Sequence, residues 1–324
     1  MGTIDVHTHF IPKTYLDALS KISITAETIG FPMTEWHEGE RLELMNRNDV
    51  DVEVLSLSSP GIRFWHGSEA ASLTRTLNEE LAGIVRNKPA RFAGLATLPL
   101  PDIDASLKEI AYALDDLKLD GVVLMTNYEG HYLGHPDFAP VLDELNRRGA
   151  TLFVHPTEGP ANGALVQGYP APAFEYPAAT TRMVVSLIDS DTVARCPDLK
   201  IVVSHGGGMI PFIQPRLGVL LPWKWQGDPE QGAARVDQAI DSLFYDLAIV
   251  SYPASLAAIQ LTHSPSRLVI GYDLPFFPAK AIPIAVDNLA AFAGFSDAER
   301  EMIQSGNARR LFPRLAVEGA GQGA

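Results

Sequence analysis

Eight short runs rich in Val, Ile, Leu and Phe punctuate the chain, at 3–8, 52–57, 92–97, 121–125, 151–154, 200–204, 243–246 and 267–272. Each has the length and the β-branched or aromatic character of a strand. Between most of them apolar positions recur at helical spacing, as over 69–87, 103–117, 136–148 and 181–195. Strands apolar on both faces that alternate with helices imply a parallel sheet covered on both sides, and eight such units close a ring. The pattern predicts an α/β fold, a (β/α)8 TIM-like barrel, in preference to an open doubly wound sheet.

Two stretches break the repeat. Residues 11–41, with Phe31-Pro32 and Trp36-His37, are too long for a simple strand-to-helix loop and predict a small insertion, about 11–45, beside the barrel mouth. Residues 169–176 carry alternating prolines and predict an ordered loop over the mouth. Near the end, 297–311 reads as a helix capped by Ser296, and the Gly- and Ala-rich 318–324 reads as a frayed tail. One unit, 1–317, accounts for the rest.

In a parallel barrel the chemistry gathers at the carboxyl ends of the strands. The first run ends in His7-Thr-His9, the fifth in His155, the sixth in His205 followed by three glycines, and the eighth in Asp273. Two histidines spaced i and i+2 on an extended segment project from one face, so His7 and His9 form a chelating pair. Five metal-competent side chains are thus expected on one rim. His37, His66, His131, His135 and His263 fall in loops or helix flanks and are expected on the surface.

Composition narrows the classes. A formal net charge of −14 excludes a basic surface for nucleic acid or anionic membrane, and no apolar run is long enough to span a bilayer. Cys196 is the single cysteine, which excludes an internal disulfide and a multi-thiolate metal site; with no secretion leader in view, a cytoplasmic location is expected.

Blocks beyond the histidines are more specific: 91–99 (RFAGLATLP), 153–156 (FVHP), 204–208 (SHGGG) with Pro211-Phe212, 271–276 (GYDLPF) and 306–308 (GNA) with Leu311-Phe312. In that order they resemble the amidohydrolase superfamily, and within it the amidohydrolase-2 branch typified by α-amino-β-carboxymuconate-ε-semialdehyde decarboxylase. The resemblance covers nearly the whole chain. It implies that His7, His9, His155 and Asp273 ligate one divalent metal, with His205 just beyond it. γ-Resorcylate decarboxylases in the branch carry Glu-x-His at the first motif, where this chain has His-x-His. The 121–126 strand lacks the lysine that bridges two metals in binuclear relatives, so one ion is expected, with Zn²⁺ favoured by the His3Asp donors and Mn²⁺ left open.

The resemblance also places Arg41 and Arg216 where a substrate carboxylate is held, the second supplied across a homodimer. Aromatics near the motifs, among them Trp65, Phe174, Tyr176, Phe276 and Phe277, with Arg63 beside them, suggest a slot for a ring; Phe174 and Phe276 are the candidates for contact with substrate. The implied activity is metal-dependent, non-oxidative decarboxylation of an aromatic or unsaturated carboxylate of the hydroxybenzoate (6-methylsalicylate being one candidate) or muconate-semialdehyde type. Asp273 is expected to act as ligand and proton donor, assisted by His205. The alternatives are a metal-dependent hydrolase of a lactone or amide and a non-catalytic metal-binding scaffold.

Overall fold

A computed structural model describes residues 2–26, 31–159 and 170–318. Eight strands, β1 (Thr3–His9), β2 (Val50–Ser56), β3 (Phe92–Thr97), β4 (Gly121–Met125), β5 (Thr151–His155), β6 (Lys200–Val203), β7 (Phe244–Asp246) and β8 (Leu268–Val269), pair in chain order and in parallel. β8 is shorter than the 267–272 run because the chain beyond it leaves the ladder to bond β1 instead. Val6 N–H donates to the Ile270 carbonyl at 2.9 Å, Asp273 N–H to that of His7 at 2.8 Å and His9 N–H to that of Leu274 at 2.8 Å. These bonds close the barrel and place Asp273 beside the two histidines of β1.

Side chains of Ile4, Val6, Val54, Leu95, Val123, Phe153, Val202 and Val269 fill the barrel, and Leu311, Phe312 and Leu315 from the last helices join the same cluster. Thr151, at the start of β5, donates its hydroxyl to the Leu311 carbonyl at 2.7 Å, so these helices cork the amino end of the barrel. That leaves the carboxyl end as the open mouth. The opposite faces of the strands, with Phe92, Leu152, Ile201 and Tyr245, pack on the surrounding helices.

One irregularity in β1 governs the site. Strict alternation would put His7 and His9 on the face opposite Ile4 and Val6. Between Asp5↔Glu53 and Thr8↔Leu55, however, β1 advances three residues while β2 advances two. The extra residue reverses the pleat, as a bulge does, and Ile4, Val6 and His7 all face the interior, with the His7 ring edge-on to Phe153 at 4.9 Å. Asp5, fully buried, fastens this bulge: its carboxylate accepts from His7 N–H at 2.9 Å, the Thr8 hydroxyl at 2.8 Å and Tyr272 N–H at 3.2 Å.

The segment after β1 contains a helix, Lys13–Lys21, and a second, Glu38–Arg47, with Trp36 between them packed edge-on against Phe10 and Phe92. The proline-rich 169–176 stretch differs from the expected loop. Residue 169 lies outside the described residues, and Ala171–Asp189 is helical, with Pro170 as cap and a proline in the first turn, where a missing N–H costs nothing. Asp191, at φ +61°, then separates it from Thr192–Arg195, so the 181–195 periodicity belongs to two helices. Ser296 does cap Asp297–Glu301 through a reciprocal capping box with Glu299, and the helix runs on through a π segment, Met302–Gly306, to Leu311. Of the tail, 319–324 lies outside the described residues. Among the described residues no helix is long and apolar enough to cross a membrane.

Candidate metal centre and active site

β1, β5 and the turn after β8 bring His7, His9, His155 and Asp273 together, with one ligand atom from each within 4.8 Å of the others, and all four are buried. His7 Nε2 lies 3.2 Å from His9 Nε2, and Asp273 Oδ1 lies 3.3 Å from the first and 3.0 Å from the second. Donors bound tetrahedrally at 2.0–2.1 Å stand about 3.3 Å apart. Three edges of this group therefore match a metal's coordination sphere, and buried His155 Nδ1 has no hydrogen-bond partner among the described residues. The residues present fit a single divalent ion.

The electrostatics agree. Burial presses His7 down, but the charges and hydrogen bonds of Asp246 and Asp273 outweigh it and push His7 up to about 10. Burial holds His9 below the usual imidazole range and, with His9 and His7 nearby, His155 well below it, so both keep free lone pairs. Burial would raise Asp273, yet the His7 charge and hydrogen bonds from His205, His7 and His9 keep its carboxyl well below the ordinary range. The cluster is short of positive charge, and in the bare protein a proton on His7 supplies it.

His205 joins from the other side: its Nε2 is 3.3 Å from Asp273 Oδ2, so the carboxylate spans from the histidine pair of β1 to His205. Four consecutive residues set its direction, His205 at φ +55°, Gly206 at +61°, Gly207 at +77° and Gly208 at +66°. Asp273 is also left-handed, at +57°. Left-handed residues with a β-carbon cost about 1–3 kcal/mol each and persist only where the surroundings over-determine them.

Asp246, at the end of β7, was absent from the expected site residues. Fully buried, it contacts His7 Nδ1 through Oδ2 at 2.8 Å and accepts from His205 N–H and Ala248 N–H through Oδ1, both at 2.9 Å. A carboxylate behind a ligating imidazole fixes its tautomer and orientation. Its position at a strand's carboxyl end was the available signal.

Above the donors opens a pocket of about 470 Å³, walled by Phe31, Tyr176, Ile249, Val250 and Phe276, with His155, His205 and Asp273 at its floor. Phe276 packs on His9 at 5.4 Å and on Phe31 at 5.0 Å, so the segment after β1 forms part of the wall. Phe174 is exposed and does not line the pocket. No Arg or Lys lines it either, and residues 27–30 and 160–169 contain none.

Arg41 needs correction as a carboxylate anchor: it is buried on the helix side of the sheet, its Nε 3.2 Å from Glu53 Oε2. Glu53 alternates with Val52 and Val54, which point inward, so Arg41 braces the barrel from outside. Arg216 is exposed on the helix Ile210–Trp225, with no ion-pair partner among the described residues. Of the histidines expected on the surface, His37, His66 and His131 are exposed and His135 is half-buried, but His263 is buried.

Two outcomes are expected. Burial pushes the Glu53 carboxyl up to about 8 even beside Arg41, so Arg41→Ala leaves a buried polar group without its partner rather than a bare charge. It should lower unfolding stability by about 1–3 kcal/mol while leaving KM of the remaining folded enzyme near wild type; a large KM increase at unchanged stability would return Arg41 to the site. Because a cation must displace the His7 proton, metal binding at pH 7 should release about one proton, and affinity should weaken about tenfold per unit as pH falls below 10. Calorimetry in buffers of different ionisation enthalpy measures this, and zero release would show His7 already neutral.

Against known proteins, the chain is 34% identical over 332 residues to a decarboxylase of Penicillium terrestre, spanning 98% of this chain and 97% of that one. It is 33% identical over 323 residues to the 6-methylsalicylic acid decarboxylase of Penicillium expansum, spanning 97% of each. The crystal structure of 5-carboxyvanillate decarboxylase from Sphingomonas paucimobilis superposes with a TM-score of 0.82 at 25% identity, covering 96% of this chain and 99% of the other. Residues 4–314 match the amidohydrolase family Amidohydro_2. With the barrel, the strand-end donors and these likenesses together, the chain belongs to that amidohydrolase family.

Proposed function

We propose that this chain is a metal-dependent, non-oxidative decarboxylase of a hydroxyaromatic carboxylate. The observation that carries the reading is the His7, His9, His155 and Asp273 group opening into an apolar pocket with His205 on its floor, in a chain a third identical to named decarboxylases. Those four residues would hold one ion, with Zn²⁺ suited to the donor set. When bound, the ion supplies fixed positive charge that attracts the substrate's carboxylate and adjacent oxygen and stabilises negative charge as it develops.

The chain's residues do the rest. Asp273, kept ionised, is a poor proton donor and serves as ligand and as hydrogen-bond acceptor for His205. That leaves His205 to deliver the proton to the ring carbon bearing the carboxylate. As that C–H bond forms, the carbon–carboxylate bond breaks, its electron pair returns to the ring, and carbon dioxide leaves. Phe31 and Phe276 hold the ring and exclude water. The apolar walls favour apolar ring substituents, as in 6-methylsalicylate, over further charged ones. The acidic, single-cysteine chain suits the cytoplasm.

We also propose a homodimer that completes the site. Phe212, Arg216, Val219 and Trp223 lie at i, i+4, i+7 and i+11, one face of the helix Ile210–Trp225, and Phe212, Val219 and Trp223 are 88%, 69% and 81% exposed. A second copy covering this stripe would shield it and bring Arg216 to a pocket that lacks a guanidinium of its own.

Purified metal-replete protein should release carbon dioxide from hydroxybenzoates bearing an ortho hydroxyl. His155→Ala should lose metal and activity together, whereas His205→Ala should keep about one ion per chain and lose kcat by about 10²–10⁴-fold. Equal metal loss in both would reassign His205 to the ligands, and hydrolysis without gas release would sink the decarboxylase reading. Arg216→Ala should raise KM by about tenfold to several hundredfold. Mixed with His155→Ala chains under conditions of subunit exchange it should regain activity, and no recovery despite exchange would exclude a shared site.

A further inference from the structure

His263 is 3% exposed and is not part of the metal-competent cluster, yet it packs on Tyr245, the residue before Asp246. Its ring stacks face to face on Tyr245, with centroids 3.8 Å apart and planes 1° from parallel. Neither ring nitrogen has a partner at strict hydrogen-bond geometry, but the backbone of Thr262 and of Gly206 lies close enough to act on the ring as hydrogen-bonding groups. Burial lowers its pKa to about 4, which keeps the ring neutral. A neutral imidazole held chiefly by its face, in the stack on Tyr245, acts as a flat packing surface.

What it packs against matters for His205. Tyr245 is held from its far end by its hydroxyl, which donates to the Ile240 carbonyl at 2.8 Å, and the next residue is Asp246. A β-carbon on Gly207 would stand 2.9 Å from the Tyr245 ring, and one on Gly206 would stand 2.8 Å from Ile259. His263 N–H bonds the Ile259 carbonyl at 2.7 Å, so Ile259 and His263 belong to the closing turn of one helix, Pro253–Thr262. That turn meets the glycine segment directly through Ile259 and the His263 ring at Gly206, and indirectly through Tyr245 at Gly207. The left-handed run His205–Gly208 cannot relax toward ordinary backbone while both contacts are in place.

We infer that the Tyr245–His263 stack is the positioning element for His205: by pinning Gly207 against β7 it fixes the glycine turn and so the approach of His205 Nε2 to Asp273. This rests on the reading of His205 as proton donor for its kinetic consequence, though not for its structural one. His263→Ala frees the Tyr245 ring to tilt and loosens the turn. A loosened proton donor slows the chemical step without changing the pocket that binds the substrate.

The test joins kinetics with amide hydrogen exchange on the metal-loaded protein. His263→Ala should accelerate exchange in the peptide spanning Ser204–Met209 by about tenfold, leaving β1 and β5 unchanged. It should lower kcat by about ten- to a hundredfold, with KM within about threefold and about one ion retained per chain. His263→Phe, which keeps a flat ring, should restore both, while His263→Leu, which keeps volume without a flat face, should behave as Ala and serves if Ala does not fold. Unchanged exchange in the Ala and Leu variants would overturn the proposal. So would acceleration spread over the whole barrel with loss of metal, or a Phe variant no better than Leu. Turn-specific exchange without turnover of any carboxylate would leave the positioning role standing and overturn the decarboxylase reading.

Discussion

The site depends on one buried carboxylate. Asp246 has no exposed surface, and its two oxygens hold His7 Nδ1, the His205 N–H and the Ala248 N–H. A charge so far from water is tolerated only when its acceptor sites are filled, and here three groups fill them. Those groups come from β1, from the turn after β6 and from the residues just past β7, so the carboxylate sets their spacing together. A proposed ligand of the metal and the proposed proton donor are thereby fixed to the same group, and neither moves without disturbing the other.

Two departures from regular backbone surround that point. The one-residue slip in β1 turns His7 inward beside Val6, and the left-handed run at His205 aims a second imidazole at the same centre. The slip gives up a ladder position and His205 carries a β-carbon in left-handed backbone, and both features are held by contacts at long sequence separation. Asp5 ties the bulge to Tyr272, and Tyr245, Ile259 and Asp246 confine the glycine turn. Strain placed at a site and held by a rigid barrel gives side chains little freedom to relax away from the geometry the chemistry needs.

Charge is divided to match. Asp246 and Asp273 surround His7 and call for a cation, while His9 and His155 are kept neutral by burial and offer lone pairs. Beyond the donors the pocket turns apolar. An oxygen-bearing anion is thus drawn to one end while an aromatic body finds walls of phenyl and aliphatic groups at the other. The pocket wall without a cation of its own and the exposed stripe around Arg216 are the two features that the proposed second copy would answer.

Much of this was legible in the sequence, for a physical reason. Parallel strands buried on both faces write their presence as apolar runs, and a barrel gathers the residues at the end of each run on one rim, so His7, His9, His155, His205 and Asp273 could be grouped without coordinates. The capping box at Ser296 was legible because both partners lie within four residues. Interactions between distant segments were not. His7 and Asp246 are 239 positions apart, and the inward turn of His7 depends on the register of β2, which β1 alone does not encode. Arg41 looked like an anchor until Glu53 proved to stand beside it on the outer face of the sheet, and His263 looked solvated until Tyr245 covered it. Local pattern determined the strands and the residues at their ends. Only the tertiary structure decided which way those residues face and what braces them, because register and burial are set by neighbours far away along the chain.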